Sequence, residues 1–278
     1  MKQQEAYMPV FVRNLALEHL VEHGQLDSQK MLELYRKARW RHAHGAFYAD
    51  HTLTSGVRFI FHVVPDGEEL RIIGTDTHLA GRCLWNAIPF FNATPKDADE
   101  LSAVVACTNQ AQDGVFVAHL MNAAVLDELQ EGQSLAMQVV AFPFVLESYA
   151  DREAYERSYA ANPDASAFPM LLTDKRIFPL NFMMKHDPDI PEERRNHNLS
   201  DDVVLCCGPV LELRESSHSD PDQERSFLIA TIATQFGHLD VAFVREMCTG
   251  TCERGSYLVF SGMLSADVAV EGKENWVD

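Results

Sequence analysis

Trp40-Arg41-His42-Ala43-His44-Gly45, with Asp50-His51 close behind, is the densest local group of side chains with chemistry to offer. On an extended segment an H-x-H pair sets both imidazoles on one face, as a metal site needs, and Asp50 or His51 could complete the ligand set. His42, His44 and His51 are therefore the candidate metal ligands of a metal-dependent enzyme. The competing reading is a basic, His-rich helix end, where cationic side chains favour the macrodipole. That reading is the stronger one, because no second metal-ligand motif follows at a recognisable spacing. No cofactor is expected.

The same region carries the one basic stretch of note, Leu34 to Arg41. Arg36, Lys37, Arg39, Trp40 and Arg41 are candidate binding residues, since Arg and Trp together can grip phosphates and stack bases. They can equally meet acidic surface of their own chain. The chain holds 23 Lys and Arg against 41 Asp and Glu, a net charge of -18. Residues 1–50 have 7 basic and 6 acidic side chains, residues 51–150 have 4 and 12, and residues 151–278 have 12 and 23. Such a surface repels phosphate backbones at long range and favours a basic protein partner over nucleic acid.

Other catalytic signatures are missing. There is no G-x-S-x-G, G-x-x-x-x-G-K-[ST] or G-x-G-x-x-G. The acidic pairs at Glu68-Glu69, Asp187-Pro188-Asp189 and Asp201-Asp202 read as solvated surface. Of the six cysteines, Cys107, Cys206 and Cys207 lie in apolar runs, as buried thiols do. Cys248-Thr249-Gly250-Thr251-Cys252 could close a reversible disulfide, or join Cys206 and Cys207 around zinc. Neighbouring strand residues point to opposite faces, which counts against the zinc reading.

The elements that must position these residues fall into distinct textures. Residues 8–23 and 28–42 show apolar stripes of helical period, separated by Gly24 and with Asp27-Ser28 as a cap. They predict a helical hairpin over residues 1–50. β-branched and aromatic runs broken by turn residues then predict a first β-rich unit over 51–149 and a second over 201–278. Between them, residues 150–200 form a Pro-punctuated excursion too apolar for a free linker, with Phe182 and Met183 as further binding candidates.

The two β-rich units repeat each other. Ala103 to Gln110, a Gly turn, Val115 to Leu120 and Glu131-Gly132 before a strand recur about 125 residues later, a period of domain size. The later copy is Leu228 to Gln235, Gly237, Asp240 to Val244 and Arg254-Gly255 before Tyr257. The fold class is α+β: a helical hairpin followed by two related β-rich units, either small barrels or one composite antiparallel sheet. The strand layout resembles five-stranded barrels of the oligonucleotide-binding type, and that resemblance implies single-strand nucleic-acid binding as an alternative function. No apolar run reaches the ~18–20 residues of a membrane span, and Met1 to Ala6 lacks a signal-peptide layout, so a cytoplasmic location is expected. The leading expectation is a non-catalytic acidic adaptor or inhibitor acting on a protein partner. Its site should lie where the repeat is broken, at Trp40 to His51 and Phe178 to His186.

Overall fold

The computed structural model describes residues 10–23, 25–43, 46–67, 69–94, 101–127, 129–163, 167–186, 191–192, 200–218 and 225–268. It is a β-rich α+β protein. The N-terminal helices are shorter than the apolar period predicts, and they do not form a hairpin. The first, α1 (Val10–Asn14), is a little over one turn long. Asn14 is buried and its amide donates to Val10 O at 2.9 Å and to Pro143 O at 3.0 Å. Ala16 then takes a left-handed conformation with φ of 52°, the usual way to end a helix. The break lets Leu15 and Leu17 both bury completely, which a continuous helix could not do for an i, i+2 pair. A short hairpin, β1 (Val21–Glu22) with β2 (Gln25–Leu26), follows.

The second helix, α2 (Ser28–Tyr35), starts where its cap predicts. The Asp27 carboxylate accepts from the amides of Gln29 at 2.8 Å and Lys30 at 3.2 Å. It stops well before residue 42, because the basic stretch turns into strand β3 (Arg39–Ala43). Tertiary demand overrides helical propensity here. As a strand the stretch turns Arg41 towards buried carboxylates, while Trp40 packs edge-on against Tyr35 with ring centroids 5.5 Å apart.

β3 pairs with β4 (Ala46–Thr52), then β5 (Val57–Asp66) and β6 (Glu69–Leu79), in a four-stranded antiparallel sheet. Strict alternation on β5 gives this sheet two unlike faces. Val57, Phe59, Phe61 and Val63 form the apolar face, packed on Val12, Leu15 and Leu17 and on Val140, Phe142 and Phe227 of the larger sheet. Arg58, Ile60 and His62 point the other way, beside Asp50 and Tyr48 of β4 and Asp76 and His78 of β6.

The larger sheet contains β7 (Leu84–Asn92), β8 (Ala103–Thr108), β9 (Val115–Leu120) and β10 (Leu135–Tyr149) from the first half of the chain. After α3 (Arg152–Ala161), β11 (Ile177–Phe178) and α4 (Leu180–His186) come β12 (Val203–His218), β13 (Arg225–Thr234), β14 (Gly237–Phe243), β15 (Cys248–Thr249) and β16 (Tyr257–Val268). Of the two arrangements expected, small barrels or one composite antiparallel sheet, the strands of both halves join in one hydrogen-bonded sheet that mixes antiparallel with parallel pairs. β10 and β16 run antiparallel along their length, from Met137 opposite Val268 to Tyr149 opposite Tyr257. β14 joins β10 in parallel, with Val140 opposite Asp240. β9 joins β16 in parallel, with His119 opposite Ser265. β7 also pairs with β10, and β12 with β16. Following the hydrogen bonds, each half closes only by including the last strand of the other. The backbones at the centre come very close: a Cβ on Gly262 would lie 2.5 Å from Phe142 O.

Buried polar contacts tie the polar face of the small sheet to the large one. Arg41 Nε lies 2.7 Å from Asp50 Oδ2, and its Nη2 lies 3.5 Å from Asp267 Oδ1. Arg58 bridges the same two carboxylates, with Nη1 2.5 Å from Asp267 Oδ2. Burial works against the Arg58 charge, but Asp267 and Asp50 outweigh it and hold its pKa above the ordinary value. Burial likewise opposes ionisation of Asp267, and Arg58 and Arg41 overcome it, so its pKa is lowered. Alongside, His78 Nδ1 and the Ser265 hydroxyl share a hydrogen bond of 2.6 Å.

Two predictions follow from this joint. Arg58→Ala leaves two buried carboxylates with one guanidinium and should cost about 3–5 kcal/mol, read as a lower urea midpoint at unchanged m-value. A loss below about 1 kcal/mol would show that the cluster is solvated. The second concerns pH. Burial, the largest influence, holds the His78 pKa down at about 4. Between pH 6.5 and about 4 the unfolded chain therefore takes up a proton that the folded protein refuses. Stability falls with pH across that window by up to about 3 kcal/mol. His218, also lowered by burial and bonded through Nε2 to Leu15 O at 2.7 Å, adds in the same sense. The depressed Asp267 contributes a further loss only below its ordinary carboxylate range. Chemical denaturation from pH 7 to 4.5 should show this slope, and His78→Asn should flatten it.

Candidate functional site

The residues singled out by sequence do not converge on one place. His44 lies outside the described residues. His42 is exposed and stacks against Phe47, its partner across the hairpin, at 4.9 Å between centroids. His51 is four residues further along β4, about 13 Å away at strand rise. The two cannot share one ion without the strands parting. Asp50 is already engaged by Arg41 and Arg58. Among the described residues no group of three or more His, Cys, Asp or Glu side chains could hold a metal.

The basic stretch divides. Arg36, Lys37 and Arg39 are exposed, Trp40 packs partly into the core between the sheets, and Arg41 is buried. Arg41 meets Asp267 of the second repeat, so for this side chain the acidic partner is the chain itself. Lys37 and Arg39 line an open hollow of about 630 Å³ with His51 and Arg58.

Phe182 and Met183 lead to a different surface. The amphipathic α4 sits on the outside of β8 and β9, with Phe182 packed on Ala106 and Val117. Its last turn is held by Lys185, whose Nζ donates to Asp201 at 2.7 Å. Phe182 is 6% exposed, so it is a floor and not itself a contact. Resting on it are Phe91, at 5.6 Å between centroids, and Phe90, at 6.4 Å. His186 completes the group, 4.8 Å from Phe91 and 4.7 Å from Phe182. Phe90 is 53% exposed and Phe91 40%.

Consecutive strand residues ordinarily face opposite ways. Here a register shift between Pro89 and Phe91 bulges β7 against β8, and both rings reach Phe182. Beside them runs an open groove of about 640 Å³, walled by Ile88, Val105, Leu126 and Leu129. Glu131 is its one charged lining residue among those described. His186 Nε2 also lies 3.3 Å from Asp201 Oδ1 at the rim of this face. Sequence reasoning passed over Phe90-Phe91; the signal was present as two adjacent aromatics beside a proline in a strand.

No known protein family, curated protein or solved structure matches the chain. The site must be argued from its own geometry.

The cysteines offer no chemistry to this face. All six are free, and Cys83, Cys107, Cys206, Cys207 and Cys252 are buried. Burial pushes the Cys107 and Cys252 thiols up to about 12 and the partly exposed Cys248 to about 11. Thiolate is the reactive form. A disulfide reagent at pH 8 should therefore modify the native protein slowly and at Cys248 first, and should reach all six thiols only after denaturation. Rapid modification of two or more thiols in the native state would contradict this.

Proposed function

We propose that this protein is a non-catalytic binding protein that engages a basic protein partner through the Phe90–Phe91 face. The observation that carries the reading is the pair of exposed aromatic rings, seated on the buried Phe182 beside a groove of mixed apolar and polar lining. Exposed, rigidly seated aromatics are the side chains that dominate binding energy at protein interfaces. The net charge of -18 selects the partner's sign and would speed its approach at low salt. A role as adaptor or inhibitor, within a cytoplasmic setting, is consistent with both features.

A second reading, single-strand nucleic-acid binding, is supported by the hollow that Lys37, Arg39, His51 and Arg58 share on the small sheet. Asp50 lines the same hollow and offsets it.

The test uses the full chain and a Phe90→Ser, Phe91→Ser variant, crosslinked in the cells that make the protein. A partner captured by the native chain alone is identified, purified and titrated. The expected result is a positively charged protein, bound at least about tenfold more weakly by the variant and associating more slowly as salt rises. Equal affinity of the variant, or a partner insensitive to salt, would overturn the reading. Salt-sensitive binding of labelled oligothymidylate, abolished by Lys37→Glu with Arg39→Glu, would put the second reading in its place.

A further inference from the structure

β7 changes neighbour half-way along its length. Leu84 to Ala87 pair with Gln138 to Leu135 of β10, and from Ile88 to Asn92 the strand pairs with β8 instead. The two neighbours lie on opposite sides. Cys83 O accepts from Val139 N at 3.2 Å on the β10 side, and Ala93 N donates to Val104 O at 2.7 Å on the β8 side. In an antiparallel ladder successive residues turn their backbone groups alternately to one side and the other. The N–H and C=O of Asn92 therefore face away from β8, into the space that β10 has left. Among the described residues no strand pairs with that side of Ile88 to Asn92. Pro89 lies in the same run, and proline within a sheet is confined to edges, first positions and bulges.

The groove of about 640 Å³ lies along this open edge. Its far wall is the turn that leads into β10, with Leu126, Leu129 and Glu131, and Val105 and Thr108 of β8 also line it. The turn spends its own backbone groups on itself: Gln130 N donates to Gln133 Oε1 at 3.2 Å and Gln133 N to Gln130 O at 3.0 Å. An unpaired strand edge beside side-chain pockets is a template for a further strand, with affinity from the main chain and specificity from alternate side chains. Two features choose the occupant. The bulge between Pro89 and Phe91 makes the edge short and irregular, which suits a short segment and discourages a long flat strand. Glu131 and the net charge of -18 favour a basic segment and repel a second copy of the chain.

We propose that the partner contributes an extended segment of alternating basic and apolar residues, which adds as a strand to the open edge of β7 at Ile88 to Asn92. Its backbone meets the N–H and C=O of Asn92. Its apolar side chains enter the groove against Val105, Leu126 and Leu129, and its basic ones answer Glu131 and the negative charge of the chain. The inference rests on the reading of the Phe90–Phe91 face as the place where a basic partner binds, and adds the form in which the partner is held.

The test is fluorescence anisotropy of the full chain with labelled hexapeptides that alternate lysine with valine, arginine with leucine, or lysine with phenylalanine, against one that alternates glutamate with valine. At least one basic peptide should bind saturably and the acidic one should not. A strand added to an edge uses the N–H groups of one side only. Of two forms of the bound peptide, N-methylated at all basic or at all apolar positions, one should keep its affinity and the other lose about tenfold or more. Asn92→Pro removes the outward N–H and should weaken the peptide several-fold, while Asn92→Ala should stay within about twofold of the native chain. If Asn92→Pro does not fold, the pair of N-methylated peptides decides alone. No saturable binding by the basic peptides, or equal loss in both N-methylated forms, would overturn the proposal. So would a dimer of the chain that Asn92→Pro abolishes, since the edge would then pair with its own copy. A captured partner weakened by Phe90→Ser with Phe91→Ser but indifferent to Asn92→Pro would overturn strand addition and leave the aromatic face standing. One-sided peptide binding that survives Phe90→Ser with Phe91→Ser would support strand addition and remove the aromatic face.

Discussion

The antiparallel pairing of β10 with β16 is the interaction on which the rest depends. Each of these long strands belongs to one half of the chain and pairs with strands of both. On its outer side β10 takes β7 of its own half and then β14 of the other; β16 takes β12 and then β9. Remove either strand and both sets of hydrogen bonds lose their closure, leaving sheet edges whose backbone groups need partners. The pairing joins residues more than a hundred positions apart. Loop-closure entropy must therefore be overcome before the central contacts form, as in slow-folding β topologies.

The small sheet rests on this centre by two different kinds of contact. Its apolar face shares a core with Val140, Phe142 and Phe227. Its other face is joined through Arg41, Arg58, Asp50 and Asp267. The apolar contact supplies non-directional stabilisation. The ionic one contributes less net energy, because desolvating four charges offsets most of their attraction. What it adds is geometry: Arg58 reaches Asp50 and Asp267 together only when the sheets meet at one angle. The same seating sets β6 beside β16, where His78 meets Ser265, while α4 and the bulge of β7 shape the aromatic face on the larger sheet.

Much of the strand content was legible in the sequence. Gly turns after Gln110 and Gln235 marked matching hairpins, and β8, β9, β13 and β14 lie within a few residues of where alternation places them. The exchange of strands was not legible, because alternation tells which face a residue takes and says nothing of which strand lies beside it. The helices were over-read. The apolar period through Leu15, Leu17 and Leu20 is real, but it is met by a broken turn in which Asn14 bonds to a distant carbonyl. For Arg41 the sequence leaves two partners open, a phosphate or the chain's own acidic surface, and the carboxylate it meets, Asp267, stands near the other end of the chain. Phe182 was among the binding candidates, but Phe90 was not, because the two become neighbours only through tertiary structure.

The shared central strands also shape how such a chain can change over evolutionary time. A side chain altered on β10 meets neighbours from both halves, and so does one altered on β16. A substitution on either strand is therefore constrained from two sides, whereas β8 and β13 pair with neither of them and answer only to their own half.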